Sequence, residues 1–419
     1  MTDRESMTAA LLVSIRYHGV AVESDRMDET RELIRGLGIN VVETKSFTLR
    51  EPLRFLLGSG QVTELRDLAQ ALRVELIVVD TELTALQYRH FVDNLGTPVM
   101  DRDRLILETF ASQAKTAEAR LRVQIAERMY ELTQLRAMTA GYDQQAGHIG
   151  MRGPGETLFE KRRRAKRDEI HRLKEQLRCL DTRYAVKARS RQEVHLPKVA
   201  VVGYTNAGKS TLVNLLAGST LLAEDKLFAT LDTAARLARI GQQVVILIDT
   251  VGFIQKLPTS LLDSFRSTLE EARNADLLLH IVDAGVADVT ERIEIVRKVL
   301  TQIGCEGVPE LLVLNKIDTL DESRRRAIPA SAESAAVSLT TGEGMSSLRD
   351  RIHLALASRL EKGHYVIPFS NAGAHAELYR SSVVVQERAT DFSWILDVTE
   401  KAPGAGLPSR YRRRGRFSS

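Results

Sequence analysis

The stretch KVAVVGYTNAGKST, residues 198–211, decides the fold of the chain around it. An apolar run, Val199–Val202, enters a loop of the form G-x-x-x-x-G-K-S between Gly203 and Ser210, and a helical pattern follows up to Gly218. In a phosphate-binding loop, backbone N–H groups and the positive end of the helix dipole surround phosphate oxygens. The order of strand, glycine-bounded loop and helix predicts such a loop, with a chance glycine turn as the alternative.

Two side chains of this loop carry the expected chemistry. Lys209 would reach the β- and γ-phosphates, and Ser210 would offer its hydroxyl to Mg²⁺. On its own the loop predicts a nucleoside triphosphate and no particular base. The nucleotide contacts predicted from the loop are Gly203, Tyr204, Thr205, Asn206, Ala207, Gly208, Lys209, Ser210 and Thr211.

Motifs after later predicted strands select guanine. The apolar run Val244–Ile248 ends in D-T-V-G, where the Asp249 carboxylate can hold Mg²⁺ through water and the Gly252 N–H can meet the γ-phosphate. Residues 315–318 read NKID, and the Asp318 carboxylate can accept hydrogen bonds from both guanine N1–H and N2–H₂, which adenine cannot offer. The contacts predicted from these motifs are Asp249, Thr250, Val251, Gly252, Asn315, Lys316, Ile317, Asp318, Ser338 and Leu339.

Several of these residues have a more specific expected role. Asn315 would tie its loop to the phosphate loop, and Lys316 would lie along the plane of the base. Ser338 and Leu339 would present backbone N–H groups to guanine O6. Any one of these motifs occurs by chance in many chains, but their order and their places after predicted strands favour a GTPase.

The segment FATLD, Phe228–Asp232, lies between the phosphate loop and Asp249, where the first switch of a GTPase belongs. Thr230 would ligate Mg²⁺ and sense the γ-phosphate, with Thr233 as a competing candidate. The predicted contacts here are Phe228, Ala229, Thr230, Leu231 and Asp232. The predicted catalytic residues are thus Lys209, Thr230 and Gly252, and the predicted Mg²⁺ ligands are Ser210, Thr230 and, through water, Asp249.

Two residues modify the expected chemistry. Phe253 stands where many GTPases carry a glutamine that orients the attacking water, so intrinsic hydrolysis should be slow until a partner reorganises the site. Asn206 resembles the asparagine of GTPases that use K⁺ as a fixed positive charge in the transition state. The alternative is an asparagine suited to a tight loop.

Alternating strands and helices predict a multidomain α/β protein. Its P-loop GTPase domain is expected to contain a doubly wound, mostly parallel sheet, with an N-terminal α/β domain before it and a small α+β domain after it. Gly58–Gly60 is read as a tight turn, with a phosphate loop as the alternative. The predicted divisions are an N-terminal α/β subdomain at 1–102, a helical hairpin at 103–197, the nucleotide domain at 198–359, and a C-terminal domain at 360–419 whose basic end is disordered from about Lys401.

The hairpin prediction rests on two long helical patterns around a glycine-rich stretch. Residues 102–138 contain neither glycine nor proline and predict one uninterrupted helix, and a second helix covers Glu156 to about Arg191. The sequence pI is about 9.0, and residues 161–167 read KRRRAKR beside the glycine-rich tip at 141–155. This basic run favours RNA as partner, and a solvated face of an antiparallel coiled coil is the alternative. The RNA-contact candidates are Arg152, Lys161, Arg162, Arg163, Arg164, Lys166 and Arg167.

The composition excludes several classes of protein. The 419 residues are too many for one ordinary core, and no apolar run approaches the roughly 18 residues needed to span a bilayer. No secretory signal is visible at the N-terminus, and Cys179 and Cys305 lack the spacing of metal ligands. We therefore expect a reduced, cytoplasmic protein, and a monomer.

The motifs taken together resemble those of HflX-type GTPases, in the Obg–HflX class of translation-factor-related GTPases. The resemblance rests on GYTNAGKST, FATLD, DTVGFIQKLP and NKID, and more specifically on MDRDRLILETFASQAKTAEA at 100–119 and GMRGPGET at 150–157. It covers nearly the whole chain and implies binding to the large ribosomal subunit and splitting of ribosomes, with the helical loop approaching the peptidyl transferase centre. Departures are Gly147-His148-Ile149-Gly150 at the tip, the arginine-rich run after Phe159, Ser338-Leu339 in the guanine loop, and Thr233 in place of a common proline.

Three functions fit these features to different degrees. The first is a GTPase that binds GTP and GDP, uses Mg²⁺ and is stimulated by the large subunit. The second is an RNA-binding assembly or remodelling factor in which the nucleotide acts mainly as an occupancy switch. The third is a small-molecule kinase, which the guanine selector NKID argues against.

Overall fold

A computed structural model describes the chain except for residues 1–7, 19–23, 144–153, 190–195, 219–233, 242, 255–257, 259, 262–263, 265–270, 287, 329–330, 332, 358–360, 382, 401–410 and 414–419. The chain divides into two compact units, which are described separately. The first contains Met1–Cys179, Asp225–Asp232 and Ile254–Arg266, and the second contains Leu180–Glu224, Thr233–Phe253 and Ser267–Ser419. The four-part division predicted from the sequence stays a prediction.

The first unit contains a four-stranded parallel sheet in the order β2-β1-β3-β4. Its core consists of alternate residues of the strands, such as Leu11, Val13 and Ile77, packed against apolar residues of the helices. This arrangement confirms the predicted N-terminal α/β alternation. The elements are β1 (Ala9–Tyr17), α1 (Ser24–Gly36), β2 (Asn40–Leu49), α2 (Ser59–Ala71), β3 (Leu76–Val79), α3 (Ala85–Leu95) and β4 (Val99–Asp101).

The glycines at 58–60 begin α2. The Gly58 N–H donates to the Gln61 side-chain oxygen at 3.0 Å, which satisfies an amide at the start of the helix. The structure therefore explains this glycine pair as the entry to a helix.

The long helix predicted from Arg102 to Met138 is wrong in one respect, because it is broken in two. The structure has α4 at Arg102–Gln113 and α5 at Ala117–Asp143. Ala114 is extended, with ψ of 98°, and the Thr116 hydroxyl accepts the Ala119 N–H at 3.1 Å as an N-cap. A capping threonine thus ends one helix and starts the next without glycine or proline.

The second long helix, α6, spans Pro154–Arg189 and pairs with α5 through charged side chains. The Arg128 guanidinium donates to Glu169 at 2.8 Å, and the Lys166 ammonium lies 2.7 Å from Glu131. Ile170 of α6 is buried. We call Arg128, Glu131, Lys166 and Glu169 the seam network. The predicted glycine-rich tip falls largely outside the described residues.

The second unit contains a six-stranded sheet in the order β10-β9-β8-β5-β7-β6, parallel except for the β6–β7 pair. Successive residues of β9 enter different cores, with Leu311 and Val313 in one and Leu312 and Leu314 in the other, so both faces are covered. This is the predicted doubly wound sheet. Its elements are β5 (Lys198–Gly203), α7 (Lys209–Ala217), β6 (Ala234–Ile240), β7 (Gln243–Asp249), β8 (Leu277–Asp283), α8 (Val289–Gln302), β9 (Glu310–Asn315), α9 (Glu322–Ala327), β10 (Ser334–Ala336) and α10 (Met345–Ala357).

The same unit ends in a small antiparallel sheet in the order β12-β13-β11-β14. Tyr365, Leu378 and Leu396 are fully buried in its core. The tail predicted to be disordered from Lys401 includes a short strand, and its other residues lie mostly outside those described. The elements are β11 (Glu361–Pro368), α11 (Ala372–Ser381), β12 (Val383–Ala389), β13 (Ser393–Glu400) and β14 (Arg412–Arg413).

Candidate functional site

The predicted phosphate loop connects β5 to α7, at the carboxyl edge of the parallel sheet. Asp249 is the last residue of β7, and Asn315 is the last residue of β9. Ligands of doubly wound sheets bind outside the carboxyl ends of the strands. The structure therefore brings the loop, the D-T-V-G motif and the NKID motif to the same edge of one sheet.

Two positions of the loop require particular backbone conformations. Gly208 has φ of +102°, and a Cβ there would lie 2.5 Å from the Asn315 side-chain nitrogen. Only glycine fits between the loop and Asn315. Asn206 has φ of +59° and is exposed, a left-handed conformation that asparagine tolerates better than most residues. The tight loop thus gives a backbone reason for this asparagine.

Lys209 lies at the start of α7 and is almost completely buried, with 7% of its surface exposed. Its ammonium donates to the Tyr204 carbonyl at 2.7 Å. Burial lowers the pKa of Lys209 to about 8, and the Asp249 carboxylate acts in the opposite direction. The lysine is thus held beneath the loop in an environment that an anionic ligand would make more favourable for its charge.

Phe253, the residue after the D-T-V-G motif, is hydrogen-bonded to the phosphate loop through its backbone. The Phe253 N–H donates to the Gly203 carbonyl at 3.0 Å, and the Thr205 N–H donates to the Phe253 carbonyl at 2.8 Å. The Phe253 side chain is only 2% exposed. A Cβ on Gly252 would lie 2.9 Å from the Lys209 nitrogen, so glycine is required beside the lysine.

Asn315 links its own loop to the phosphate loop, as predicted, and also to the 338–339 segment. Its side-chain nitrogen donates to the Ala207 carbonyl at 2.8 Å, and its side-chain oxygen accepts the Leu339 N–H at 3.2 Å. The side chain is 3% exposed. The predicted link from the NKID motif to the phosphate loop is therefore present, together with a second link to the 338–339 segment.

The amides of Ser338 and Leu339 are engaged within the protein. The Ser338 N–H donates to the Glu343 carbonyl at 3.0 Å, and the Ser338 hydroxyl accepts the Thr341 N–H at 3.1 Å. The predicted contact with guanine O6 would require the Leu339 N–H to leave Asn315. In addition, β10 ends at Ala336, two residues before Ser338.

Lys316 and Asp318 of the NKID motif differ in their surroundings. Lys316 has φ of +62° and its ammonium lies 2.8 Å from Asp283. Asp318 is exposed in the short 3-10 turn Ile317–Thr319. An exposed carboxylate beside an oriented lysine suits recognition of a planar base with hydrogen-bond donors on its edge.

Sequence reasoning missed several residues that support this site. Asp283 ends β8, and the rule that places Asp249 and Asn315 would have found it too. The Arg292 guanidinium lies 4.8 Å from the centre of the Tyr204 ring, a cation–π contact that no spacing indicates. The Thr250 hydroxyl donates to the Val201 carbonyl at 2.7 Å, so this predicted nucleotide contact joins β7 to β5 through its side chain.

The predicted first switch, Phe228–Asp232, lies outside the described residues, as do Thr233 and Arg152. Ser210 is part of α7, directly after Lys209, and Asp249 is buried. A hydroxyl and a carboxylate are hard oxygen ligands of the kind that Mg²⁺ prefers. The described donors therefore fit the predicted metal. Thr211 follows in the first turn of α7, and Val251 is buried.

The predicted RNA-contact residues on α6 fall into two groups. Arg163 lies 3.4 Å from Glu160, and Lys166 belongs to the seam network. The remaining described candidates, which are exposed, are Lys161, Arg162, Arg164 and Arg167.

Comparison with protein families assigns three consecutive segments of the chain. Residues 24–111 match the family described as GTP-binding GTPase N-terminal, and residues 113–191 match the one described as GTP-binding GTPase Middle Region. Residues 198–316 match the family described as 50S ribosome-binding GTPase. Among the described residues, no helix is long and apolar enough to cross a membrane.

Known relatives cover most of the chain. A GTPase HflX of Caldanaerobacter subterraneus is 38% identical over 79% of this chain and 77% of its own, and one of Flavobacterium psychrophilum is 42% identical over 70% of each. A GTP-binding protein of Sulfolobus solfataricus, solved in complex with GDP, covers 84% of this chain and 99% of its own at 22% identity, with a TM-score of 0.43. With this identity to the HflX relatives and these family matches, the chain belongs to the HflX family of GTPases and is an enzyme that binds and hydrolyses GTP.

Proposed function

We propose that this GTPase binds the large ribosomal subunit and couples GTP binding and hydrolysis to dissociation of ribosomes. Its intrinsic hydrolysis is slow, and the ribosome stimulates it. The family that matches residues 198–316 is described as ribosome-binding, which supports the partner. The buried position of Phe253 supports the slow intrinsic rate.

Phe253 is the observation that carries the kinetic part of this proposal. Two backbone hydrogen bonds and a side chain that is 2% exposed hold the residue against the phosphate loop. A phenylalanine has no group that can orient a water molecule, and this phenylalanine is buried. The group that orients water must come from elsewhere, so hydrolysis depends on a partner.

The residues at the sheet edge take the roles that the sequence predicted. Lys209 contacts the β- and γ-phosphates, leaving its present acceptor, the Tyr204 carbonyl. The Gly252 N–H meets the γ-phosphate, and Asp318 accepts from the guanine edge. Lys316, held by Asp283 at 2.8 Å, lies along the base.

GTPases of this kind generally use Mg²⁺, and we assign Ser210, Asp249 and Thr230 to it. The two hydroxyls and, through water, the Asp249 carboxylate would hold the ion. It would supply positive charge that stabilises the phosphate oxygens during hydrolysis. Removing it with a chelator should abolish hydrolysis, and excess Mg²⁺ should restore the rate.

K⁺ is a separate proposal that rests on Asn206. The residue is exposed at the loop, where an amide oxygen can contribute to a cation site near the phosphates. GTP turnover should then be faster in potassium than in sodium buffer at equal ionic strength. Equal rates would leave Asn206 with the backbone role that its φ of +59° already explains.

The central experiment measures GTP hydrolysis with and without purified large subunits. Rate stimulation and co-sedimentation with a non-hydrolysable GTP analogue are expected. Light scattering of intact ribosomes then reports dissociation. Co-sedimentation without stimulation or dissociation would favour the assembly-factor reading, and no co-sedimentation at all would remove the ribosome from the proposal.

Exposed arginines of α6 are the proposed contacts to ribosomal RNA. A variant with R164Q and R167Q should bind large subunits more weakly, and each lost phosphate contact lowers the slope of log affinity against log salt by roughly 0.7–0.9. The matched control carries R172Q and K174Q, which remove two exposed charges from the same helix outside the predicted cluster. Equal losses in both variants would mean that only the overall charge of α6 matters.

A further inference from the structure

The segment that follows Gly252 is attached to a helix of the first unit. The Arg122 guanidinium of α5 donates from Nη1 to the carbonyl of Ser264 at 2.9 Å. Both residues are buried, with 4% of Arg122 and 7% of Ser264 exposed. Leu261, one turn before Ser264, is fully buried. The contact is therefore part of a packed surface.

Arg122 is oriented for this contact by its neighbour on the same helix. Glu118, one turn earlier, accepts from Arg122 Nε at 3.2 Å and from Nη2 at 2.6 Å. This two-point pairing joins two guanidinium nitrogens to the same carboxylate oxygen, Oε1, and so orients the plane of the guanidinium group. With that plane fixed, Nη1 is directed at the Ser264 carbonyl.

The segment Ile254–Arg266 belongs to the first unit, whereas Phe253 and the strand before it belong to the second. Phe253 is bonded to the backbone of Gly203 and Thr205 in the phosphate loop. A dozen residues after Gly252, the chain is bonded to α5. The chain after Gly252 is thus hydrogen-bonded to the phosphate loop at Phe253 and to α5 at Ser264.

Helix α5 also makes contacts further along its length. The Tyr130 hydroxyl donates to Asp101 at 3.0 Å, and Arg128 donates to Glu169 of α6 at 2.8 Å. An unbroken helix transmits displacement along its axis, because each turn is held by its own hydrogen bonds. A continuous series of contacts therefore joins α6 to Arg122 through the seam network and α5.

We propose that Arg122 is a positioning residue for GTP hydrolysis. Its bond to Ser264 couples the position of the α5–α6 pair to the segment after Gly252, so that a partner bound to the helices sets the hydrolysis rate. Arg122 itself does not touch the nucleotide. The identity of the partner rests on the proposed function, whereas the coupling does not.

The first test separates coupling from nucleotide binding. In Arg122→Met, stimulation of GTP hydrolysis by large subunits should fall at least tenfold, while the affinity for GDP stays within about twofold of wild type. Arg122→Lys, which keeps one donor and loses the two-point pairing, should retain part of the stimulation and guards against misfolding of the first variant. The control Arg120→Met removes an exposed guanidinium of the same helix, which donates to the Ala114 carbonyl at 3.1 Å and not to Ser264, and should keep full stimulation.

The second test needs no ribosome. Hydrogen–deuterium exchange of peptides from residues 117–135 should differ between the GTP-analogue and GDP states of the wild type and of Arg120→Met. In Arg122→Met and Arg122→Lys this difference should be absent or reduced.

The outcomes distinguish the two proposals. If large subunits fail to stimulate the wild type but exchange in α5 follows the nucleotide only when Arg122 is present, the ribosomal function fails and the coupling stands. If stimulation occurs and is the same in Arg122→Met, or if exchange in α5 follows the nucleotide without Arg122, the coupling is overturned.

Discussion

Replacing Asn315 should separate nucleotide affinity from general stability. Its side chain donates to the Ala207 carbonyl at 2.8 Å and accepts from the Leu339 amide at 3.2 Å, and it is 3% exposed. In Asn315→Ala both bonds are lost, and a buried carbonyl and a buried amide lose their partner. An unsatisfied buried group costs about 1–3 kcal/mol, so for the two groups together we expect about 2–6 kcal/mol.

Much of this cost should appear in nucleotide binding, because Asn315 aligns the phosphate loop with the base loop. At about 1.4 kcal/mol per tenfold, about 2–6 kcal/mol corresponds to roughly a 30- to 20,000-fold weaker Kd for GDP if all of it falls on binding. Titration with fluorescent GDP measures that Kd. Thermal melting with and without GDP measures the share that falls on the free protein.

The variant Asn315→Asp tests the same alignment of the two loops. The aspartate keeps an acceptor for Leu339 but turns an acceptor towards the Ala207 carbonyl, and it adds a buried negative charge. It should therefore bind GDP no better than Asn315→Ala. Near-normal binding by the aspartate variant, or a loss below fivefold in the alanine variant, would refute the proposed alignment.

Asn371 provides a matched control in the C-terminal sheet segment. Its side chain also donates one bond and accepts one, to the Tyr411 hydroxyl at 2.8 Å and from the Ala374 amide at 3.1 Å. Asn371→Ala should lower the melting temperature and leave GDP affinity unchanged, because Asn371 contacts no nucleotide loop.

Three further predictions concern the base, the proton balance and the buried charges. Asp318→Asn should shift preference from guanine to xanthine nucleotides in competition titrations, and retained GTP affinity would contradict the base assignment. With the pKa of Lys209 near 8, roughly three quarters of this side chain is neutral at pH 8.5. Phosphate favours the ammonium, so GDP binding should take up about 0.7 proton at pH 8.5 and almost none at pH 6.5. Calorimetry in buffers of different ionisation enthalpy measures this uptake, and no uptake at either pH would contradict the assignment. Arg102→Met removes the buried guanidinium that contacts the Asp80 and Glu29 carboxylates at 3.0 and 3.1 Å, while Asp80 keeps Arg26 at 3.4 Å, and should lower the free energy of unfolding in urea by about 3 kcal/mol. A loss below 1 kcal/mol would show that the carboxylates find other compensation.

The sheet of the second unit was largely predictable, because its central strands are continuous apolar runs bounded by turn residues. The edge strand β6 was missed, since its sequence AARLARI alternates arginine with small residues and looks helical. Edge strands often carry charged side chains, which weaken their apolar signal. The strand β11, which lies between β13 and β14, was missed because its apolar run is short and follows a charged stretch.

The site was predictable where a motif exists and unpredictable where geometry alone supplies the residue. Asn315 and Lys209 lie where their motifs place them. The contact of Arg292 with Tyr204 depends on how α8 packs, which the local sequence does not encode. Arg102 and Arg122 are buried against the usual preference of arginine for the surface. Glu29 and Asp80, which contact Arg102, lie far from it in the sequence, as Ser264 does from Arg122. These contacts form only when the chain folds.

The seam network determines how α5 and α6 are aligned along their axes. Its two cations and two carboxylates alternate between α5 and α6, with Lys166 contacting Glu131 on one helix and Glu169 on the other. Sliding α6 by one residue would move Lys166 away from Glu131 by about 1.5 Å along the axis and rotate it by about 100°. The network therefore fixes the axial register of α6 against α5. Beyond it, the lengths of the two helices set how far Asp143 and Pro154 lie from the seam network. Equal insertions of seven residues in both helices, placed beyond the network, would lengthen the hairpin by about 10 Å while nearly preserving its paired faces.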